Sequence, residues 1–170
     1  MRTVSLAERP LVESAFAAFP SGVAAITAIV DDAPVGFVST SFTVGVSFEP
    51  PQVLFSAQRG SRTWPVLRRA QRLGVSVLAT GHEAACMQLA SRSRDRFAGL
   101  ALTHGTEGAV TIDGSVLTLE CSVRAEVPSG DHDLVVLDVH DLSVSDDAEP
   151  LIYHGRAFRS LLAATDDFAA

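Results

Sequence analysis

Apolar positions along this chain recur with two different periods, and the first half mixes them. Leu11, Val12, Ala15, Phe16 and Phe19 fall on one helical face, with Pro10 suited to a first turn, and Pro20-Ser21-Gly22 stops the run. Residues 23–30 and 35–41 read as two strands joined by the turn Asp31-Asp32-Ala33-Pro34. Pro50-Pro51 cannot donate to a ladder and marks a strand entrance, after which 52–58 reads as a buried strand. Ser61 is placed to cap a helix through Trp64, Val66 and Leu67 to about residue 71, with Pro65 in its first turn. Residues 74–79 alternate as a strand. Thr80-Gly81-His82-Glu83 has capping-box spacing and predicts a helix whose apolar face carries Ala85, Cys86 and Leu89.

The second half is dominated by period two. Leu117, Leu119, Cys121, Val123, Ala125 and Val127 are apolar, whereas Thr118, Glu120, Ser122, Arg124 and Glu126 between them are polar. Asp113-Gly114 before them is a hairpin signal. Residues 128–132 turn the chain into another long strand over about 134–144, followed by a short strand at 151–153 and a helical piece at 158–162. Six or seven strands, several of them antiparallel neighbours, predict a mainly β architecture: a β-barrel with peripheral α-helices. There is no internal repeat or linker, so residues 1–170 read as one domain.

Composition narrows the chemistry. Net charge is −7, which excludes an extended phosphate-neutralising surface and nucleic acid as the main ligand. All thirteen basic residues are Arg, so no Schiff-base lysine exists. The first residues contain no apolar leader, and the longest uncharged apolar stretch is far too short to cross a bilayer. Cys86 and Cys121 are widely separated and read as buried hydrophobes in a reducing cytoplasm. A cytoplasmic, membrane-free protein is expected.

Signatures for a Rossmann dinucleotide site, a Walker A loop, a nucleophile elbow and a zincin are all missing. His82 and Cys86 are four apart but lack further ligands; Cys86 reads as core and His82 as a helix-start residue. The pairs Asp31-Asp32 and Asp146-Asp147 read as solvated turns. Three segments carry a positive message. The hydroxyl-rich run 39–47 suits the polar edge of a planar ring or a phosphate, with a polar edge strand as the plain alternative. Arg59-Gly60-Ser61-Arg62 puts two guanidinium groups at a predicted helix start, where free N–H groups favour anions. Ala90-Ser91-Arg92 offers a third polar contact or simply a frayed helix end.

The order of segments is more specific than any one of them. Phe19-Pro20-Ser21-Gly22-Val23, Pro34-Val35-Gly36-Phe37, Ser47-Phe48-Glu49-Pro50-Pro51, Gly130-Asp131-His132 and Pro150-Leu151-Ile152-Tyr153 together resemble the short-chain flavin reductase components of two-component flavin-dependent monooxygenases, over about residues 16–161. The resemblance implies an FMN-binding split barrel, Greek-key-like and antiparallel, usually a homodimer. It implies NAD(P)H:flavin oxidoreductase activity, with FAD or FMN and NADH or NADPH as cofactors, feeding reduced flavin to a partner monooxygenase. Rival readings on the same barrel are a flavin-retaining oxidase or monooxygenase and a non-catalytic flavin-binding protein.

By the same resemblance Ser39, Thr40 and Ser41 contact the isoalloxazine edge, Ser47 lies under the ribityl chain, and Ser56 and Ala57 line that pocket. Ser61 and Arg62, with Ala90, Ser91 and Arg92, receive phosphate or pyrophosphate. His132 is the catalytic candidate on the nicotinamide side, where Phe158, or secondarily Tyr153, covers the stacked ring. Two departures from the family pattern stand out. Four residues, Thr43-Val44-Gly45-Val46, separate Phe42 from Ser47 where three are usual, which predicts a β-bulge at the glycine. The strand after His132 reads Asp133-Leu134-Val135-Val136-Leu137, without the Thr after His and the Gly in place of Leu137 that the family tends to have.

Overall fold

Seven strands lie side by side in the order β3-β2-β6-β9-β10-β5-β4, and every pairing among them is antiparallel. They are β2 (Ala24–Val30), β3 (Ala33–Ser39), β4 (Thr43–Phe48), β5 (Pro51–Gln58), β6 (Leu73–Val77), β9 (Leu117–Ser129) and β10 (His132–Val144). A smaller sheet joins β1 (Ser21–Gly22), β11 (Ile152–His154) and β12 (Ala157–Arg159), and β7 (Leu102–His104) pairs with β8 (Val110–Ile112). Among the described residues there are three short α-helices, α1 (Arg9–Phe16), α2 (Trp64–Leu67) and α3 (Glu83–Leu89), and one 3-10 turn, Thr106–Gly108. This computed structural model describes residues 3–161. The expected domain limits at 1 and 170, and residue 162 of the expected terminal helix, lie outside the described residues.

The architecture is mainly antiparallel β with few helices, as expected. The large sheet is open by backbone pairing, with β3 and β4 at its edges. Edge position explains how β3 accommodates Pro34. The apolar run of β2, broken only by Thr27, follows from burial on both faces. Ala24, Ile26 and Ala28 enter a core with Phe55, Leu73, Val75, Leu119, Cys121, Val135 and Leu137, while Val23 and Ala25 enter a second core with Leu78, Cys86, Leu89 and Leu151. Thr27 is fully buried and satisfied because its hydroxyl donates to the Val110 carbonyl, with the Gly74 carbonyl 3.4 Å away. At Gly74 a Cβ would stand 1.8 Å from the Val110 carbonyl oxygen, so only glycine lets β8 cross here.

Several local expectations are corrected by longer-range partners. Residues 158–162 were expected to be helical, but Phe158 lies in β12, paired with Tyr153 of β11. The Thr80 capping box does not form: Thr80 donates both its N–H and its hydroxyl to the Glu149 carbonyl, and His82 occupies the cap position. His82 Nδ1 instead accepts from the Ala79 N–H at 3.2 Å. The helix expected to run to residue 71 is a single turn ending at Leu67. Asp113-Gly114 connects β8 to β9 in different sheets and closes no hairpin. By contrast, Asp31 and Asp32 both take positive φ in a two-residue hairpin loop, and the bulge at Gly45 (φ +70°) is present. Thr43 pairs with Leu54 and Ser47 with Gln52, so β4 spends four residues where β5 spends two.

Both cysteines are free and buried, and burial pushes the Cys86 thiol up to about 11 and the Cys121 thiol up to about 12. Neither thiol should react with a disulfide reagent at pH 8 until the chain is unfolded. Because both folded values are raised above the usual 9.0, their contribution to stability is complete below pH 9 and is lost as pH rises toward 11 and 12. Denaturation midpoints measured between pH 8 and 11 should therefore fall on the alkaline side; reaction of the native thiols at pH 8 would contradict the burial.

Candidate functional site

The β9–β10 hairpin carries one side of the site at its tip. Gly130, at φ +59°, opens a two-residue loop that pairs Ser129 with His132, so the imidazole stands at the first position of β10. β10 pairs next with β5, which sets His132 opposite Gln58. The Arg59 N–H donates to the Asp131 carbonyl at 3.1 Å, tying the loop after β5 to the hairpin tip. His132 is half-buried and lines two adjoining clefts of about 460 and 500 Å³, which share Val38, Ser39 and Ser56.

Most of the expected residues meet there. Ser39, Ser56, Ala57, Ser61, Arg62, Ala90 and Arg92 line the first cleft, while Thr40 and Ser41 line the second. Ser91 faces an adjacent groove shared with Arg62 and Arg92. The structure places three others elsewhere. Ser47 sits on β4 opposite Gln52. Tyr153 and Phe158 stack edge to face on each other at 5.6 Å and pack on the second core. None of the three lines either cleft.

The hydroxyls are largely engaged within the protein. Ser41 Oγ accepts from the Ser56 N–H at 2.9 Å and lies 2.9 Å from Ser39 Oγ, bridging the end of β3 to β5 across the open side of the sheet. Ser61 Oγ accepts from the N–H groups of Thr63 and Trp64. The donors expected to be free for an anion at the start of α2 are therefore partly satisfied by Ser61, and α2 is too short for a strong dipole. The remaining candidates for holding an anion are side chains. Arg59 is held by Asp133 at 2.9 Å, whereas Arg62 and Arg92 form no ion pair among the described residues.

Sequence reasoning missed Arg96. Its Nε donates to the Ser91 carbonyl at 2.7 Å, and its Nη1 donates to the Gly36 carbonyl at 2.8 Å and to Thr63 Oγ1 at 2.9 Å. One guanidinium thus braces β3, the start of α2 and the end of α3, three of the segments that wall the cleft. The alternation Arg92, Arg94, Arg96 was the visible signal; which of them turns inward depends on carbonyls far away in sequence. Replacing Arg96 with Ala should cost about 2–3 kcal/mol of stability in chemical denaturation, from lost charge-assisted hydrogen bonds. A change below ~0.5 kcal/mol would show that the brace is dispensable.

Comparison with known proteins places this geometry. The flavin reductase like domain matches residues 16–162. The chain is 35% identical over 159 residues to the actinorhodin polyketide dimerase of Streptomyces coelicolor, covering 93% of this chain and 89% of that one. It is 36% identical over 136 residues to the flavin-dependent monooxygenase reductase subunit HsaB of Rhodococcus jostii, covering 80% and 69%. The structure superposes with a TM-score of 0.91 and 29% identity on the NADH:FAD oxidoreductase SgcE6 of Streptomyces globisporus C-1027 in complex with NAD and FAD fragments, over 98% of this chain and 100% of that one. With the order of its segments, its sheet and most of its length in common with these proteins, the chain belongs to the flavin reductase-like family.

Proposed function

We propose that this protein is an NAD(P)H-dependent flavin reductase that passes hydride from nicotinamide to free FAD or FMN and supplies the reduced flavin to a partner monooxygenase. The observation that carries the reading is the meeting of His132 with two unpaired guanidinium groups, Arg62 and Arg92, in one cleft at the sheet's end. The cleft volumes are those of small-molecule sites, and backbone, hydroxyl and guanidinium groups suit a planar, anionic ligand. When bound, flavin and nicotinamide supply the redox chemistry, and the chain has to bind and orient them. Arg62 and Arg92 take the phosphate. The wall made by Ser39, Thr40, Ser41, Ser56 and Ala57 meets the ring edge, largely through backbone. Ser61, Ala90 and Ser91 shape the phosphate end, and His132 hydrogen-bonds the nicotinamide side.

The same reading makes the seven-stranded sheet a split barrel with Greek-key-like connections, drawn together at Ser41 and Ser56. It makes the molecule a homodimer. Phe16, Phe19, Val44, Val46 and Phe48 are exposed near one end, as are Val127, Leu142 and Val144 along the long hairpin, and a second copy would cover them. Among the described residues no helix is long and apolar enough to cross a membrane, and we place the protein in the cytoplasm. One observation favours a second reading: a relative is named a polyketide dimerase, not a reductase, which fits an enzyme that keeps its flavin for an organic substrate.

Oxidation of NADH or NADPH with excess free FAD or FMN separates the two readings, since only a reductase turns over rapidly without an organic substrate. Arg62→Ala should raise the flavin KM about 10- to 100-fold, the worth of one charge-assisted contact of roughly 1.5–3 kcal/mol, and leave kcat at saturating flavin nearly unchanged. Arg59→Ala should change the flavin KM less than about twofold, because Asp133 already holds that guanidinium. Equal effects at both positions would overturn the assignment. Sedimentation at micromolar concentration should show a dimer, with an interface of roughly 2,000 Å² or more; monomer alone would rule it out.

A further inference from the structure

The hairpin tip contains a carboxylate whose contacts contribute little to the fold. Asp131 Oδ1 lies 2.7 Å from His132 Nδ1, and Asp131 Oδ2 lies 3.4 Å from Nη1 of Arg9 on α1. Arg9 is held in turn by Glu13, one turn further along α1, at 2.7 Å. The other nearby carboxylate, Asp133, is taken by Arg59. Asp131 and Arg9 are both mostly exposed, so their ion pair adds little to the stability of the fold and serves at most to orient the carboxylate.

We propose that Asp131 is a positioning residue for the nicotinamide side of the cleft, fixing the ring of His132 with Nδ1 bound and Nε2 free, and that Arg9 steadies Asp131 from α1. An ionised carboxylate only accepts hydrogen bonds, so Nδ1 is the ring nitrogen that carries the proton. The hydrogen bond from His132 keeps the Asp131 carboxyl below the usual carboxylate range, with Arg9 adding to the effect, so it is ionised wherever the enzyme works. Nε2 of a neutral ring then presents a lone pair, the acceptor needed for an N–H donor such as a carboxamide. A half-buried histidine at the mouth of an open cleft would otherwise sample several ring orientations and both tautomers. The identity of that donor rests on the reductase reading; the state of the ring does not.

Nitrogen-15 NMR of the histidine rings in the full chain tests the ring state directly. His132 should carry its proton on Nδ1 in the native protein and shift toward Nε2 in Asp131→Ala. Finding it on Nε2 in the native protein overturns the proposal whatever the enzyme does. Kinetically, Asp131→Ala should raise the nicotinamide KM about 3- to 10-fold while leaving the flavin KM and the thermal midpoint unchanged. Asp131→Asn, which keeps an acceptor for Nδ1–H, should recover most of the loss, and Arg9→Ala should give a rise of about twofold. In a His132→Ala background, itself raised in nicotinamide KM, Asp131→Ala should add nothing. A further loss there, or an equal rise in flavin KM, would mean that Asp131 does not act through His132. Native protein that oxidises neither NADH nor NADPH with flavin would instead remove the reductase reading and leave the NMR result standing.

Discussion

The register of the β9–β10 hairpin is the constraint on which the site depends. The two strands pair from Leu117 with Val144 to Ser129 with His132, and their inner halves place Leu119, Cys121, Val135 and Leu137 in the core. A slip of one residue would turn that whole set outward, so core burial fixes the pairing strongly. Each strand passes its register on, β9 to β6 and β10 to β5. His132 therefore stands opposite Gln58, beside the Arg59–Arg62 loop, because apolar residues some distance away determine where the tip lies. The two register shifts, between Val136 and Leu137 and between Val139 and Asp141, are absorbed along the strand without moving the tip pair.

The outer parts of the same hairpin follow a different logic. Alternation in β9 continues through Ala125 and Val127, yet those side chains leave the core, and Val127 remains exposed. Period two in a strand reports that one face is apolar without saying what covers it. The apolar face of α1 is similar. Its spacing is helical as expected, but Leu11 and Phe16 are exposed and no residue of α1 is buried. Patterning here was faithful to secondary structure and silent about the partner surface.

Legibility followed the range of the interaction that decides each element. β2, the Asp31-Asp32 hairpin and the buried face of α3 each show their pattern or turn residues within their own segment, and all three were readable. The bulge was readable too, from one extra residue and a glycine. What failed was decided across the fold. The Glu149 carbonyl took Thr80 away from its capping role, and Tyr153 drew Phe158 into a strand. The three-residue strands β7 and β8 are too short to show any period, and they exist because Val110 and Ile112 are buried beside β2 and β6. Within the site, the order of segments located the walls, but the engagement of Ser41 by Ser56 has no local signature.

The arginines show why local chemistry alone does not identify a binding group. Arg59, Arg62, Arg92 and Arg96 are equivalent as residue types, and all lie close to the cleft or to its hairpin in the fold. Asp133 neutralises the first, and three carbonyl or hydroxyl acceptors use the last. A guanidinium already committed to good acceptors has little to offer a ligand, because binding would exchange one set of hydrogen bonds for another. Of these four, Arg62 and Arg92 form no ion pair among the described residues and can gain contacts without losing any. With a net charge of −7, the chain has no long-range attraction for an anion, so under the proposed function recognition of a phosphate would rest on local uncommitted charges of this kind. Exposed charges in an open cleft would hold an anionic ligand without trapping it, which the proposed release of reduced flavin requires.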